Sequence, residues 1–176
     1  EAATAGPPAG RFWASVALAV ARDKAALPEL LAAVRERREE TVEGVKTQPK
    51  WQTAVVLLGR LGDRAAVPAL VDVLADKAAP LHAVIAAVRA LGKIGDPAAA
   101  PAVRKTLKRT DLSTTRFLQF SSGNVMQTVE DARWQFELAC AEALARMGKP
   151  SPAVAKKYLT DDRAYVRRLA RRVLEM

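Results

Sequence analysis

Apolar side chains recur along the chain at the three- and four-residue spacing of an amphipathic helix. The clearest stripe comprises Leu81, Val84, Ile85, Val88 and Leu91, which occupy positions i, i+3, i+4, i+7 and i+10. Half of all residues are hydrophobic but only 5% are aromatic. Because small apolar side chains suit closely packed helices better than strands, the pattern predicts an all-α protein.

The end of this stripe belongs to a segment that occurs twice. The sequences "LLGRLGDRAAVPAL" (57–70) and "ALGKIGDPAAAPAV" (90–103) align at a constant offset of 33 residues. The offset pairs Gly62 with Gly95 and Asp63 with Asp96, and it also pairs basic residues that precede the glycines. A constant offset over this many positions predicts a repeat protein.

Two further copies are recognisable at other offsets. The sequence from Ala143 sets Gly148 against Gly95, an offset of 53, which leaves about 20 extra residues between the two units. A weaker copy at the start sets Asp23 against Asp63, an offset of 40. The final segment, 161–176, is typical of a first helix that no second helix follows.

Each unit is expected to form two helices joined by a corner. The glycines fit the end of the first helix, and the aspartate can cap the second helix, which in one unit would begin at Pro97. Pro101 lies one turn further and lacks an amide donor, so the start of that helix should be irregular. Since one pair cannot bury its own stripe, stacked pairs should form a continuous core. The sequence therefore predicts a right-handed α-α superhelix of four helix pairs plus a C-terminal capping helix.

This interpretation divides the chain into a flexible lead-in and one domain. The lead-in is 1–10 and the domain is 11–176. Within it we expect repeats at about 11–45, 49–76, 80–108 and 131–159, an insertion at 109–130, and a capping helix at 162–175. The insertion has β-prone flanks around Ser-Ser-Gly-Asn, which is compatible with a short hairpin or with a mobile loop.

The repeated pattern Leu-Gly-x-Leu/Ile-Gly-Asp-x-x-Ala-x-Pro-Ala-Leu/Val, with "VRRLARRVL" near the end, resembles the HEAT-like repeats also found in phycobilisome lyases. The resemblance covers about 12–176. It implies a solenoid whose second helices line the concave side, and it leaves function open, since such repeats serve lyases, adaptors and nucleic-acid binders alike. The stretch 136–175 is also similar to C-terminal repeat segments of bacterial FAD-dependent oxidoreductases.

Candidate catalytic groups are few. HEAT-like di-iron hydroxylases use several His-Glu dyads, whereas this chain has only His82, which is expected to be a surface or capping residue. Cys140 is expected to be a small buried hydrophobe. The tryptophans at 13, 51 and 134 are expected to pack in the core, and their acidic neighbours lack the shared spacing that a HEAT-like DNA glycosylase would suggest. We therefore expect no enzyme activity, no cofactor and no metal from this chain.

Positive charge is concentrated in the second half. Residues 1–80 contain 11 Lys/Arg and 10 Asp/Glu, a net of +1, whereas residues 81–176 contain 17 and 9, a net of +8. Second-helix cations, the arginines of the closing helix and two insertion phenylalanines are the candidate partner-binding residues. They are Arg104, Lys105, Lys108, Lys156, Lys157, Arg163, Arg167, Arg168, Arg171, Arg172, Phe117 and Phe120.

Three functional hypotheses follow. The first is a scaffold that binds another protein or domain, which the positive charge suggests is acidic. The second is nucleic-acid binding through phosphate contacts along a basic C-terminal groove, and the third is a C-terminal module of a larger FAD-dependent oxidoreductase. The single cysteine and the lack of a run of about 18 apolar residues favour a cytoplasmic protein that does not enter membranes, with a processed or exported form left open.

Overall fold

The computed structural model describes residues 8–37, 41–42, 45–46, 49–122 and 124–176. Over these residues the chain forms four helix pairs and a closing helix. The first helices of the pairs are α1 (Pro8–Val20), α3 (Lys50–Leu61), α5 (Leu81–Ile94) and α7 (Arg133–Arg146). The second helices are α2 (Leu27–Glu36), α4 (Val67–Ala75), α6 (Ala100–Leu107) and α8 (Pro152–Lys156), and the closing helix is α9 (Ala164–Leu174).

Successive pairs stack on one another in chain order. Helix α1 packs on α3, α3 on α5 and α5 on α7, while α2 packs on α4 and α4 on α6. Helix α9 then covers α7 and α8. This two-layered succession is the predicted all-α solenoid of four pairs and a capping helix, and the fold class is confirmed. Helix α1 begins at Pro8, inside the stretch predicted as a lead-in, and residues 1–7 lie outside the described part of the chain.

The corner between the two helices of a pair has the predicted glycine. Gly62, Gly95 and Gly148 follow first helices with φ of +69°, +71° and +68°. An L-residue with a Cβ rarely adopts this left-handed conformation, whereas glycine adopts it readily. The alignment at offsets of 33 and 53 therefore matches positions that share one backbone conformation.

An aspartate caps the segment after the corner in three of the pairs. The carboxylates of Asp23, Asp63 and Asp96 accept hydrogen bonds from backbone amides two residues later, at 2.9, 3.0 and 3.0 Å. Each cap opens a short 3-10 turn, and the α-helix begins only after it, so that α6 starts at Ala100 and not at Pro97. The predicted irregular start is confirmed, with a proline in the first turn of the helix proper.

Two antiparallel hairpins interrupt the helices. Strands β1 (Thr41–Val42) and β2 (Val45–Lys46) form a short one that we did not predict. Strands β3 (Thr115–Ser122) and β4 (Asn124–Asp131) form the longer one within the insertion, with Phe117 opposite Val129. The insertion is therefore a hairpin and not an irregular loop.

One hydrophobic core runs through α1 to α7, and a second cluster packs the other side of α7 against α8 and α9. Leu30, Leu58, Leu91 and Leu144, one from each pair, are fully buried. Trp51 and Trp134 are also buried, as expected. The expectation is wrong for the tryptophan at position 13, which is 59% exposed because it lies beside the exposed Val20 on α1, away from the buried Phe12 and Ala19. Among the described residues, no helix is long and apolar enough to cross a membrane.

Candidate partner-binding surface

The layer of first helices presents an unusually one-sided charge pattern. Helices α1, α3 and α5 contain no acidic residue. The repeat offsets place Arg60, Lys93 and Arg146 at one equivalent position near the ends of α3, α5 and α7, and all three are exposed. The signal was present in the sequence, where Arg60 and Lys93 share the offset of 33, but we predicted the basic surface on the second helices and the closing helix.

A groove on this layer lies where α5, α7 and α9 meet. It has a volume of about 200 Å³. Its floor consists of small residues, because Gly92, Ala139 and Ala143 lie where the helices approach closely. The lining residues with long side chains are Arg89, Lys93, Glu142, Arg146, Leu169 and Arg172. We call this set and its floor the basic groove.

The groove holds three cations without a counter-charge. Arg146 is paired with Glu142 at 2.9 Å, one turn earlier on α7. Arg89, Lys93 and Arg172 are exposed and form no hydrogen bond or ion pair within the described part of the chain. Guanidinium groups form forked hydrogen bonds to carboxylates and phosphates. The arrangement can therefore hold an anionic group of a partner.

The closing helix contributes fewer free arginines than its sequence suggests. Arg163 precedes α9 and donates to the carboxylates of Asp161 at 2.8 Å and Glu130 at 2.9 Å. Its guanidinium lies 5.3 Å from the centre of the Trp134 ring. The hydrogen bond from Arg163 lowers the pKa of Asp161 to about 2. Arg163 thus holds the hairpin end, α7 and α9 together.

Arg167 has a similar structural role, whereas three other arginines face solvent. The guanidinium of Arg167 donates to the backbone carbonyls of Asp161 and Asp162, at 2.6 and 2.8 Å. The exposed arginines of α9 are Arg168, Arg171 and Arg172, and Arg172 lines the basic groove. Of the five closing-segment arginines predicted as candidates, Arg163 and Arg167 are therefore used in contacts within the described chain.

The candidate cations of the second helices are not gathered at one site. Arg104 donates to the carbonyl of Lys149 at 2.9 Å, and Lys157 donates to the carboxylate of Glu137 at 2.9 Å. Lys105 lines a separate groove of about 300 Å³ between α4 and α6, whose floor is largely apolar. The two remaining candidates, Lys108 and Lys156, are exposed.

The insertion phenylalanines Phe117 and Phe120 both belong to β3, where Phe117 pairs with Val129 and Phe120 with Met126. Their side chains lie outside the described part of the structure, so contact between either residue and a partner stays a prediction.

Glu137 is the most buried charged residue of the described chain. Its carboxylate accepts from Arg133 at 2.9 Å, from Lys157 at 2.9 Å and from the hydroxyl of Tyr158 at 2.8 Å. Burial acts to raise the pKa of this carboxyl group, but the three hydrogen bonds together outweigh it and the pKa is lowered. Because it accepts from three donors, Glu137 joins α7 to the segment that follows α8.

The other reactive side chains are also accounted for. Cys140 is fully buried on α7, and burial raises the pKa of its thiol. His82 is exposed at the start of α5, 2.9 Å from the amide oxygen of Gln52. Both residues have the surroundings expected from the sequence. Among the described residues, no group of three or more His, Cys, Asp or Glu is placed to hold a metal ion.

Comparisons with known proteins agree with this architecture. A family model for HEAT repeats matches residues 51–118. No curated protein sequence matches the chain. A solved structure of the complex of CpcE and CpcF of phycocyanin lyase from Nostoc sp. PCC7120 matches with a TM-score of 0.66 and 24% identity, over 98% of this chain and 61% of the matched chain. The chain thus spans about three fifths of the length of the chain it matches. These findings confirm the predicted resemblance: residues 51–118 match HEAT repeats, and the fold is the HEAT-like solenoid also seen in a phycocyanin lyase complex.

Proposed function

We propose that this protein is a non-catalytic HEAT-like scaffold that binds an acidic partner protein at the basic groove. The observation that carries the proposal is the presence of Arg89, Lys93 and Arg172 around a floor of glycine and alanine, without a counter-charge in the described chain. Small floor residues let a partner approach closely, and the cations supply charge-assisted hydrogen bonds and faster encounter.

The structural comparison supports a protein as the partner. The matched HEAT-like chain belongs to a complex of two proteins. That complex is a phycocyanin lyase, so an activity shared between subunits is the enzymatic alternative for this chain. We favour the scaffold because the titratable residues buried in the described core have structural roles. Glu137 accepts hydrogen bonds from Arg133, Lys157 and Tyr158, and Cys140 is fully buried.

The test compares two variants with the same change of charge. The groove variant is Arg89→Glu, Lys93→Glu and Arg172→Glu, and the control is Arg35→Glu, Lys77→Glu and Lys149→Glu, three exposed cations that do not line the groove. Both chains are immobilised and exposed to an extract of the source organism at low salt. We expect the groove variant to lose protein partners that wild type and control retain. Equal recovery by both variants, with circular dichroism confirming folded chains, would remove the groove from the proposal.

Nucleic-acid binding is the second candidate, and the net charge of +8 over residues 81–176 favours it. It predicts affinity for duplex DNA that falls by about 10³- to 10⁵-fold between 50 and 200 mM salt for a protein making about six to ten phosphate contacts. A mobility shift in low salt with a 24-base-pair duplex would support it. The nearly neutral first 80 residues, with a net charge of +1, argue against an extended phosphate track.

The third proposal is that the chain is a module of a larger flavoenzyme. It rests on the likeness of residues 136–175 to repeat segments that follow bacterial FAD-dependent oxidoreductases. In that setting the acidic partner of the basic groove would be another domain of the same polypeptide. Sequencing the gene on both sides of this segment tests the proposal directly, because an adjoining flavin-binding domain is its required outcome.

A further inference from the structure

The outer face of the first-helix layer changes character from one end of the solenoid to the other. The repeat offsets set Val20, Arg60, Lys93 and Arg146 at one equivalent position of α1, α3, α5 and α7. Four residues earlier, the same offsets set Val16, Val56, Arg89 and Glu142 at another. At both positions the residue is valine at the N-terminal end and charged towards the C-terminal end.

The apolar half of this face is open to solvent. Trp13 is 59% exposed, Val20 50% and Val56 51%. Arg60 is the cation of α3 on this face. Its guanidinium is fixed on α1, because it donates a hydrogen bond to the carbonyl of Val20 at 2.9 Å. Large exposed apolar side chains grouped on one surface are typical of a site that another molecule covers.

The apolar half is continuous with the basic groove. Val56 lines a second groove of about 190 Å³ between α3 and α5, together with Ala86 and Ala90. Arg89 and Lys93 line this groove as well as the basic groove. A single elongated ligand can therefore contact exposed valine at one end and unpaired cations at the other.

We infer that this face binds one helix of a partner protein. The apolar end of that helix lies on α1 and α3, and its acidic end lies on α5, α7 and α9. The inference rests on the proposed function and adds the form and direction of the partner. Adjacent helices lie roughly 8–10 Å apart, so three spacings from α1 to α7 cover about 24–30 Å. A helix rises 1.5 Å per residue, and about 16–20 residues would span the face.

Charge complementarity selects this occupant over a second copy of the chain. Two copies would bring together faces whose helices α1, α3 and α5 have no acidic residue, and Glu142 of α7, which lies on this face, is already paired with Arg146. The apolar half likewise argues against a nucleic acid, whose backbone presents phosphates along its whole length. An acidic helix with an apolar end matches both halves.

The test uses two synthetic peptides of 20 residues. The block peptide has Leu and Trp in its first third and Glu at regular positions in the rest, and the scrambled peptide has the same composition with the two types interspersed. The full chain is titrated with each peptide by fluorescence anisotropy. We expect the block peptide to bind about tenfold more tightly than the scrambled one.

Variants then separate the two halves. Trp13→Gln, Val20→Gln and Val56→Gln together should weaken the block peptide about tenfold, whereas Met176→Gln, another exposed apolar residue, should not. The groove variant with three glutamates should weaken it as well. A benzophenone at the apolar end of the peptide should cross-link to α1 or α3, and one at the acidic end to α5, α7 or α9.

The outcomes distinguish this inference from the proposed function. If the groove variant loses the peptide but the apolar variant does not, or if cross-links from both ends fall in the same place, the bipartite face is wrong while the acidic partner stands. If the groove variant binds the peptide as wild type does, both ideas fail. A dimer in sedimentation equilibrium that the apolar variant dissociates would assign the apolar half to self-association and overturn the inference.

Discussion

The backbone of Ala90 on α5 occupies the space that a side chain at Gly59 on α3 would need. A Cβ built at Gly59 would lie 2.6 Å from the Cα of Ala90, and one at Gly92 would lie 2.8 Å from the Cα of Ala143. The two contacts are equivalent under the repeat offsets, because each joins a first helix to the next one. Glycine at this position therefore sets how closely successive pairs stack.

The first prediction concerns these glycines. Gly59→Ala and Gly92→Ala should each lower the free energy of unfolding, by about 1–3 kcal/mol for overpacking, even though alanine is the better helix former. Helix propensity alone would stabilise both variants by about 1 kcal/mol, so the sign of the change separates the two effects. Urea unfolding followed by circular dichroism measures it.

A second substitution serves as the control. Ala90→Gly combined with Gly59→Ala removes the facing Cβ but leaves the Cα of residue 90 in place, so only part of the lost stability should return. Higher stability in Gly59→Ala than in wild type would show that α3 and α5 can separate without cost, and would contradict the close-packing account.

The repeat offsets made the fold accessible from the sequence. A glycine with positive φ and an aspartate cap are local requirements of the backbone at the corner. The sequence therefore predicts the corner at each glycine-aspartate pair, which is Gly62 with Asp63 in one unit and Gly95 with Asp96 in the next. We did not predict the hairpin of β1 and β2. Its strands contain only two residues each, on either side of Glu-Gly in the sequence, which is too short for an alternating pattern to be recognised.

The candidate site was less accessible, because burial and pairing are decided by neighbours from other units. Arg163 and Arg172 are both arginines of the closing segment, yet one is tied to Glu130 and Asp161 and the other lines a groove. A helical wheel of α9 cannot separate them, since the deciding partners come from β4, the turn before α9, and α5.

The second prediction concerns the single thiol. Cys140 is buried in the described structure and its thiol pKa is raised, first by desolvation and then by the nearby charge of Glu137. The native chain should therefore not react with a thiol reagent such as DTNB at pH 8 over an hour, and should react with one equivalent after unfolding in urea. Rapid reaction of the native chain would contradict the burial of the Cys140 thiol.

The third prediction concerns Arg109, which joins the start of the insertion to the end of α4 in the second pair. Its guanidinium donates to the carbonyls of Leu74 at 2.8 Å and Asp76 at 3.1 Å, and forms a forked pair with Asp111. Arg109→Ala leaves these acceptors without their donor and should cost about 1–3 kcal/mol. The neighbouring exposed Lys108→Ala should change stability by less than about 0.5 kcal/mol. If Arg109→Ala and Lys108→Ala lower the thermal stability equally, the hydrogen bonds of Arg109 do not stabilise the attachment of the insertion.

The fourth prediction gives the pH dependence of stability. Burial alone would raise the pKa of Glu137, but hydrogen bonds from Lys157, Arg133 and Tyr158 outweigh it, and the folded-state pKa is lowered. A lowered carboxyl pKa contributes stability above the unfolded value near 4.3, and this contribution is lost as pH falls through the folded value. Glu137→Gln should therefore be less stable than wild type at pH 7, by about 1–3 kcal/mol.

The free energies of unfolding of wild type and Glu137→Gln should become more similar as the pH is lowered from neutral to below about 4, because the wild-type carboxyl group then becomes protonated and loses its charge. Glu142→Gln is the matched control, because its carboxylate is paired with Arg146 at the surface of the same helix, and surface pairs contribute only about 0–1 kcal/mol. Urea unfolding at a series of pH values measures both variants. A constant difference for Glu137→Gln across the series would mean that the carboxylate charge does not hold α8 on α7, and that the contact depends on shape alone.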